Sequence, residues 1–172
     1  MSRYSGASFL VMDQVDRILD QWRRERPDLD VAPMGTIGRL KRLSAHLGVG
    51  MDKIITTHGL NAASFDVLAT LRRSGPPYAL SPTALIEWTM VTSGTMTNRI
   101  DRLEKVGLVD RARDPDDGRS SVVGLTAEGF ALIDRIIGEH VANQQRLTEV
   151  LSEAERSQLD RLLGKWLIAF EE

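Results

Sequence analysis

Apolar residues at Met96, Ile100 and Leu103 recur at spacings of four and three, which places them on one stripe of a helix. At about 100° per residue, Gly94, Asn98, Asp101 and Arg102 face away from that stripe, with Thr95 and Thr97 flanking. The helix is predicted to start near Thr92 or Ser93 and to close at Val106 and Gly107. Upstream, Ser81 and Pro82 mark an earlier start, since a serine oxygen can accept from free N–H groups and proline suits a first turn. That helix should run to about Trp88. Downstream the pattern changes to two short strand-like runs, Leu108 to Arg113 and Ser120 to Leu125. Between them Asp114-Pro115-Asp116-Asp117-Gly118-Arg119 holds the Pro and Asp-Gly that specify a turn.

The flanking segments are helical and widely apolar on one face. Val11, Val15, Ile18 and Trp22 share a helical spacing, which breaks across Glu25 to Pro33. A longer helix carries Ile37, Leu40, Leu43, Leu47 and Ile54, and another starts at Leu60-Asn61 and carries Phe65, Leu68 and Leu71. Phe130, Ile133, Ile137 and Val141 make a stripe near the far end. Leu159, Leu162, Leu163, Trp166 and Phe170 make the last one, after a capping box at Ser152 and Glu155. The predicted organisation is N-terminal helices over 1–60, a central lobe over 61–126 and C-terminal helices over 127–172. The terminal faces either fold back on their own core or pack against a second copy across a two-fold axis.

Two short helices and a charged hairpin form the order of a winged helix-turn-helix, in a chain that is mainly α with a small β-wing. Ser, Thr and Asn reach phosphates and base edges without bulk, and an arginine can fork onto guanine. Candidate DNA contacts are therefore Ser81 and Thr83 on the first helix and Ser93, Thr95, Thr97, Asn98 and Arg102 on the second, with Arg113 and Arg119 on the wing. An ordinary solvated helix face would carry similar residues. The hairpin shifts the balance, because a wing can lay Arg119 into a minor groove whose negative potential attracts it.

Composition changes the picture in a few places. At 42% hydrophobic, 172 residues suffice for a core, and no apolar run is long enough to cross a bilayer. No secretory signal is read at the N-terminus, so a cytoplasmic protein is expected. The absence of cysteine excludes disulfides, thiolate metal sites and a catalytic or peroxide-sensing thiol. The net charge of −2, with six basic against seven acidic residues between 81 and 126, describes arginines at chosen places and not a broad basic patch. Dependence on DNA sequence together with salt sensitivity is expected. His46, His58 and His140 are scattered and read as surface residues; with no HExxH, GxSxG or Gly-rich phosphate loop, no enzyme, metal or cofactor is expected. A protein-interaction module using the winged fold without DNA is the remaining alternative class.

The recognition-helix residues Ser93, Thr95, Thr97, Asn98, Arg102 and Leu103, with GLVDRARDPDDGRSSVVGLTAEG at 107–129, resemble the MarR family of bacterial transcription factors over nearly the whole chain. The resemblance implies a homodimer, built from both chain ends, on a roughly palindromic operator in double-stranded DNA. Gly118 stands where relatives commonly carry a second arginine, which leaves minor-groove contact to Arg119. An extra N-terminal helix, with QWRRERPDLD at 21–30, FDVLATLRRSGPP at 65–77, TNRI at 97–100 and VDRARD at 109–114, is similar to a urate-responsive branch of the family. That likeness implies a ligand set of Trp22, Asp66, Arg99 and Arg111, and loss of DNA affinity when the anion binds. Two guanidinium forks and an indole face suit a flat monoanion. Arg99 lies at the edge of the apolar stripe and should point into the protein.

Each of the four also has a plainer reading. Trp22 would belong to a core stripe with Val15 and Ile18, and Asp66 to a solvated strip with Thr70 and Arg73. Arg111 would touch phosphate from the wing, and Arg99 would form a structural ion pair. A sensor of another anion, such as a phenolic acid or a tricarboxylate, uses the same chemistry.

Overall fold

The computed structural model describes residues 12–89, 96–113 and 121–171. The expected contacts Ser93, Thr95 and Arg119, and the turn at 114–119, lie outside the described residues. The order is α1 (Gln14–Glu25), α2 (Ala32–Thr57), α3 (Ala62–Arg73), β1 (Ala79–Leu80), α4 (Pro82–Trp88), α5 (Met96–Lys105), β2 (Val109–Arg113), β3 (Ser121–Leu125), α6 (Ala127–Leu147) and α7 (Glu153–Ile168). Two units are distinguished, Met1–Gly48 and Val49–Glu172, with α2 carrying the chain from one into the next.

In the first unit, Asp13 and Asp16 form a reciprocal capping box that starts α1. Arg39 on α2 bonds both carboxylates, at 2.7 Å to Asp13, and holds the Asp13 carboxyl below its ordinary value. Val15, Leu19 and Val31 form its apolar cluster. Ile18 and Trp22 are exposed, so the stripe expected through Val15, Ile18 and Trp22 is corrected. It runs through Val15 and Leu19, four apart on the flank that meets α2, where Gly35 leaves room for Leu19.

The second unit is built on a core in which Val67, Leu68, Leu71, Leu85, Val123 and Ile133 are fully enclosed. Asn61 caps α3 through Ser64 N–H, and Ser81 caps α4 through Ala84 N–H at 3.1 Å, with Pro82 in the first turn. Both starts fall where the sequence placed them. Gly107 takes a positive φ of 73° and lets the chain leave α5 for the hairpin. The antiparallel sheet has the order β1-β3-β2, with Arg111 opposite Val123 and Arg113 opposite Ser121. The sequence did not show β1. Its two residues are too few to alternate, and pairing with Gly124 and Val123 of β3 defines it.

The base of the hairpin is locked to α6. Thr126 caps α6 by accepting from Gly129 N–H at 3.0 Å, and its hydroxyl donates to the Gly107 carbonyl at 2.7 Å. Gly129 is a close-approach glycine: a Cβ there would stand 1.9 Å from the Leu108 carbonyl oxygen, which is backbone and cannot swing aside. Gly129→Ala is therefore expected to destabilise the protein by at least ~1–3 kcal/mol, read as a lower urea midpoint with unchanged slope. An unchanged midpoint would count against this junction.

Further along α6, Ile133 and Ile136 are buried and Ile137 packs partly buried against the same core, while Val141 is exposed, which corrects the far end of the expected stripe at Val141. Arg72 ties α3 to α6 through Asp134 at 2.8 Å, its guanidinium 4.6 Å from the Phe130 ring centre and 5.3 Å from that of Tyr78. Two of the three histidines are not plain surface residues. His58 meets Glu139 at 2.8 Å, and burial depresses the pKa of His140, whose ring lies 4.8 Å from Phe65. The α7 capping box is present at Ser152 and Glu155, yet no residue of α7 is buried. Leu162, Leu163, Trp166, Leu167 and Ile168 all stay exposed. Among the described residues no helix is long and apolar enough to cross a membrane, and no acidic, histidine or cysteine cluster could hold a metal.

Candidate nucleic-acid interface and ligand residues

α5 turns Met96, Ile100 and Leu103 into the core and leaves Thr97, Asn98, Asp101 and Arg102 exposed. The four exposed residues occupy a face of about two turns, polar throughout. Such a face can enter a major groove and donate to base edges: Asn98 can pair with adenine and Arg102 with guanine. On α4, Thr83 is exposed, while Ser81 is half-buried with its oxygen engaged as the helix cap. A capped serine keeps its hydroxyl proton and can still give it to a phosphate. Arg113 is exposed at the end of β2, where it forms the last register pair with β3, opposite Ser121.

The four residues of the implied ligand set are placed differently from one another. Trp22 is exposed on α1 in the first unit. In the second unit Asp66 is half-buried on α3. Thr70, expected to share a solvated strip with it, is buried at 1% exposure, so that strip is corrected: the core encloses this flank of α3. Arg99 is half-buried, and its Nη1 is fully enclosed without a hydrogen-bond partner. Leaving a guanidinium N–H unpaired away from water is costly, on the order of 1–3 kcal/mol or more.

Arg111 on β2 reaches across to α5, where its guanidinium donates to Asp101 at 2.5 Å and to Glu104. The Asp101 bond is the main cause of a raised Arg111 pKa, which marks the charged pair as mutually stabilised. The sequence reading missed this pairing. Its signal was the acidic pair Asp101 and Glu104 at i and i+3 on one flank of α5, facing an arginine across a short connection. The pairing makes a direct link between the wing strand and the recognition helix.

A family model described as MarR family matches residues 58–120. The chain is 46% identical over 152 residues to the HTH-type transcriptional regulator PecS of Dickeya dadantii, covering 88% of this chain and 92% of that protein. Among solved structures, Bordetella bronchiseptica BpsR, described in terms of regulation of its DNA binding by 6-hydroxynicotinic acid, superposes with a TM-score of 0.65 at 30% identity. That match covers 74% of this chain and 89% of BpsR. A cysteine-to-serine mutant of MarR from Escherichia coli, complexed with operator DNA, superposes with a TM-score of 0.67 at 26% identity, covering 85% and 97%.

Proposed function

The chain belongs to the MarR family of DNA-binding transcriptional regulators and is not an enzyme, and from that premise we propose that it is an anion-released repressor acting as a homodimer in the cytoplasm. Each protomer places α5 in the major groove of one half of a palindromic operator, with the wing over the adjacent minor groove. Thr97, Asn98 and Arg102 read bases, Ser81, Thr83 and Arg113 position the protein on phosphates, and Ser93, Thr95 and Arg119 extend the same surface.

The effector is a flat anion, urate, and the observation that carries it is Arg99: a recognition-helix guanidinium with an enclosed, unpartnered N–H. An anion supplies the missing acceptor. Arg111 is the second fork, and at present the α5 carboxylates occupy it. Drawing Arg111 to a ligand releases Asp101 and Glu104, so ligand capture and the position of α5 become one equilibrium. Asp66 completes the set within this unit, and Trp22 enters through the resemblance alone. That the DNA binding of BpsR is regulated by an aromatic acid supports this class of effector. A coupling of about 1–3 kcal/mol between the two ligands changes operator affinity roughly five- to 150-fold.

Arg99→Ala is expected to keep operator binding and to lose the response to urate, with calorimetric urate binding weakened at least about tenfold. A variant that binds urate normally and is still released by it removes Arg99 from the site.

A further inference from the structure

We infer that Arg72 is a positioning residue for operator binding: it fixes the direction in which α6 leaves the DNA-reading lobe and, through it, the separation of the two reading helices. The inference rests on the dimeric reading of the proposed function.

α6 joins reading to association. It starts at the base of the hairpin, packs Ile133 and Ile136 into the core that also holds Ile100 and Leu103 of α5, and runs on to Leu147. α3 packs on both α6 and α5. At about 8–10 Å for each helix pair, the outward face of α5 lies roughly 20 Å from the α6 axis. A swing of about 10° at the α3–α6 contact therefore carries that face by about 3.5 Å, close to the rise of one base pair.

The start of α6 is pinned where Thr126 bonds the Gly107 carbonyl and Gly129 meets the Leu108 backbone, but one pinned point is a pivot. Burial of Ile133 and Ile136 holds the helix down without fixing its direction, because apolar contact is non-directional. Arg72 supplies the second point. Its Nε and Nη2 donate to Asp134 Oδ1 at 2.9 and 2.8 Å, one and a half turns beyond Gly129. Its guanidinium also lies 4.6 Å from the centre of the Phe130 ring and 5.3 Å from that of Tyr78, and the two rings meet edge-on at 5.0 Å.

Tyr78 extends the clasp to the wing, since its carbonyl accepts from the Leu125 N–H of β3 at 3.1 Å. It holds a φ of +60°, which a bulky residue adopts only where its surroundings impose it. The ion pair itself is open to water, with side chains 36% and 54% exposed, and such pairs add little to stability. Its contribution is direction, and that separates a positioning role from a merely structural one.

The chain has no cysteine, so Lys105→Cys at the exposed end of α5 takes one spin label per protomer. Pulsed EPR on the full chain without DNA reads the distance between the two labels of the dimer. Arg72→Met, which keeps the stem and loses the fork, should broaden that distribution by about 3 Å or more. Its thermal midpoint should fall by no more than about 4 °C, and affinity for the upstream duplex by about five- to thirtyfold. Asp134→Asn should act alike, and Arg72→Lys, which keeps the charge without the fork, should lie between. A narrow distribution in the wild type that Arg72→Met leaves unchanged overturns the inference alone. Broadening that comes only with a much larger loss of thermal midpoint overturns it too, by making Arg72 structural. A wild type that gives no distance between labels overturns the dimeric reading, and the inference with it.

Discussion

Replacing Asn98 and Arg102 together with alanine is expected to lower operator affinity by about 2–6 kcal/mol per half-site, roughly thirtyfold to more than ten-thousandfold. Both side chains are exposed on the face of α5 opposite Met96, Ile100 and Leu103, so their loss removes donors without opening the core. Alanine also raises helix propensity at Asn98, and the folded state should be retained. The loss should depend on sequence: the double variant should discriminate poorly between operator and scrambled duplex. Arg113→Ala, at the end of β2, should instead weaken binding to both duplexes alike and flatten the salt dependence. Anisotropy titrations on the two duplexes distinguish these outcomes. Full operator affinity in the double variant would remove α5 from the groove.

The second large effect is expected from Leu163→Glu with Trp166→Glu on α7. This helix is fixed locally by its Ser152–Glu155 box, yet it buries no residue and shows Leu162, Leu163, Trp166, Leu167 and Ile168 to solvent. Leu162, Leu163, Trp166 and Leu167 share one side of the helix, and an exposed apolar face of that kind marks an association surface. The open apolar area is worth on the order of a few kcal/mol per protomer, and two-fold symmetry counts it twice. Two glutamates would have to be desolvated in the same place, so the proposed dimer should dissociate to monomers, read by sedimentation. Operator affinity should collapse with it, because each monomer reads only half a site. A variant that still sediments as a dimer would place the interface elsewhere.

Where the sequence was legible, the reason is local. Ser81-Pro82 and Ser152 with Glu155 announce helix starts by chemistry that acts within one turn, and the spacing of Met96, Ile100 and Leu103 needs no partner to be read. The same spacing put Arg99 at the edge of the stripe, where it is found half-buried. What stayed hidden depends on contacts distant in sequence. Strand β1 exists only because β3 pairs with it. Thr70 looks like a surface residue until its flank of α3 is enclosed by the core. Arg111 reads equally as a phosphate or ligand contact until β2 lies beside α5 and brings Asp101 and Glu104 to it. On α1 the burial of Leu19 in place of Ile18 was set by α2, which sequence periodicity cannot locate.

In the proposed function, the pairing of Arg111 with α5 is the link through which a ligand would act on DNA binding. Asp101 and Glu104 sit on the recognition helix itself, so the wing strand and the reading face share one set of charges. A ligand shifts that equilibrium only by binding one arrangement better than the other.

The most direct measurement is fluorescence anisotropy of a labelled duplex from upstream of this gene, titrated with protein and then with urate at fixed salt. Tight binding that urate reverses in the wild type but not in Arg99→Ala is the result this account predicts. Tight binding that urate leaves untouched, or no binding to the duplex at all, would contradict it.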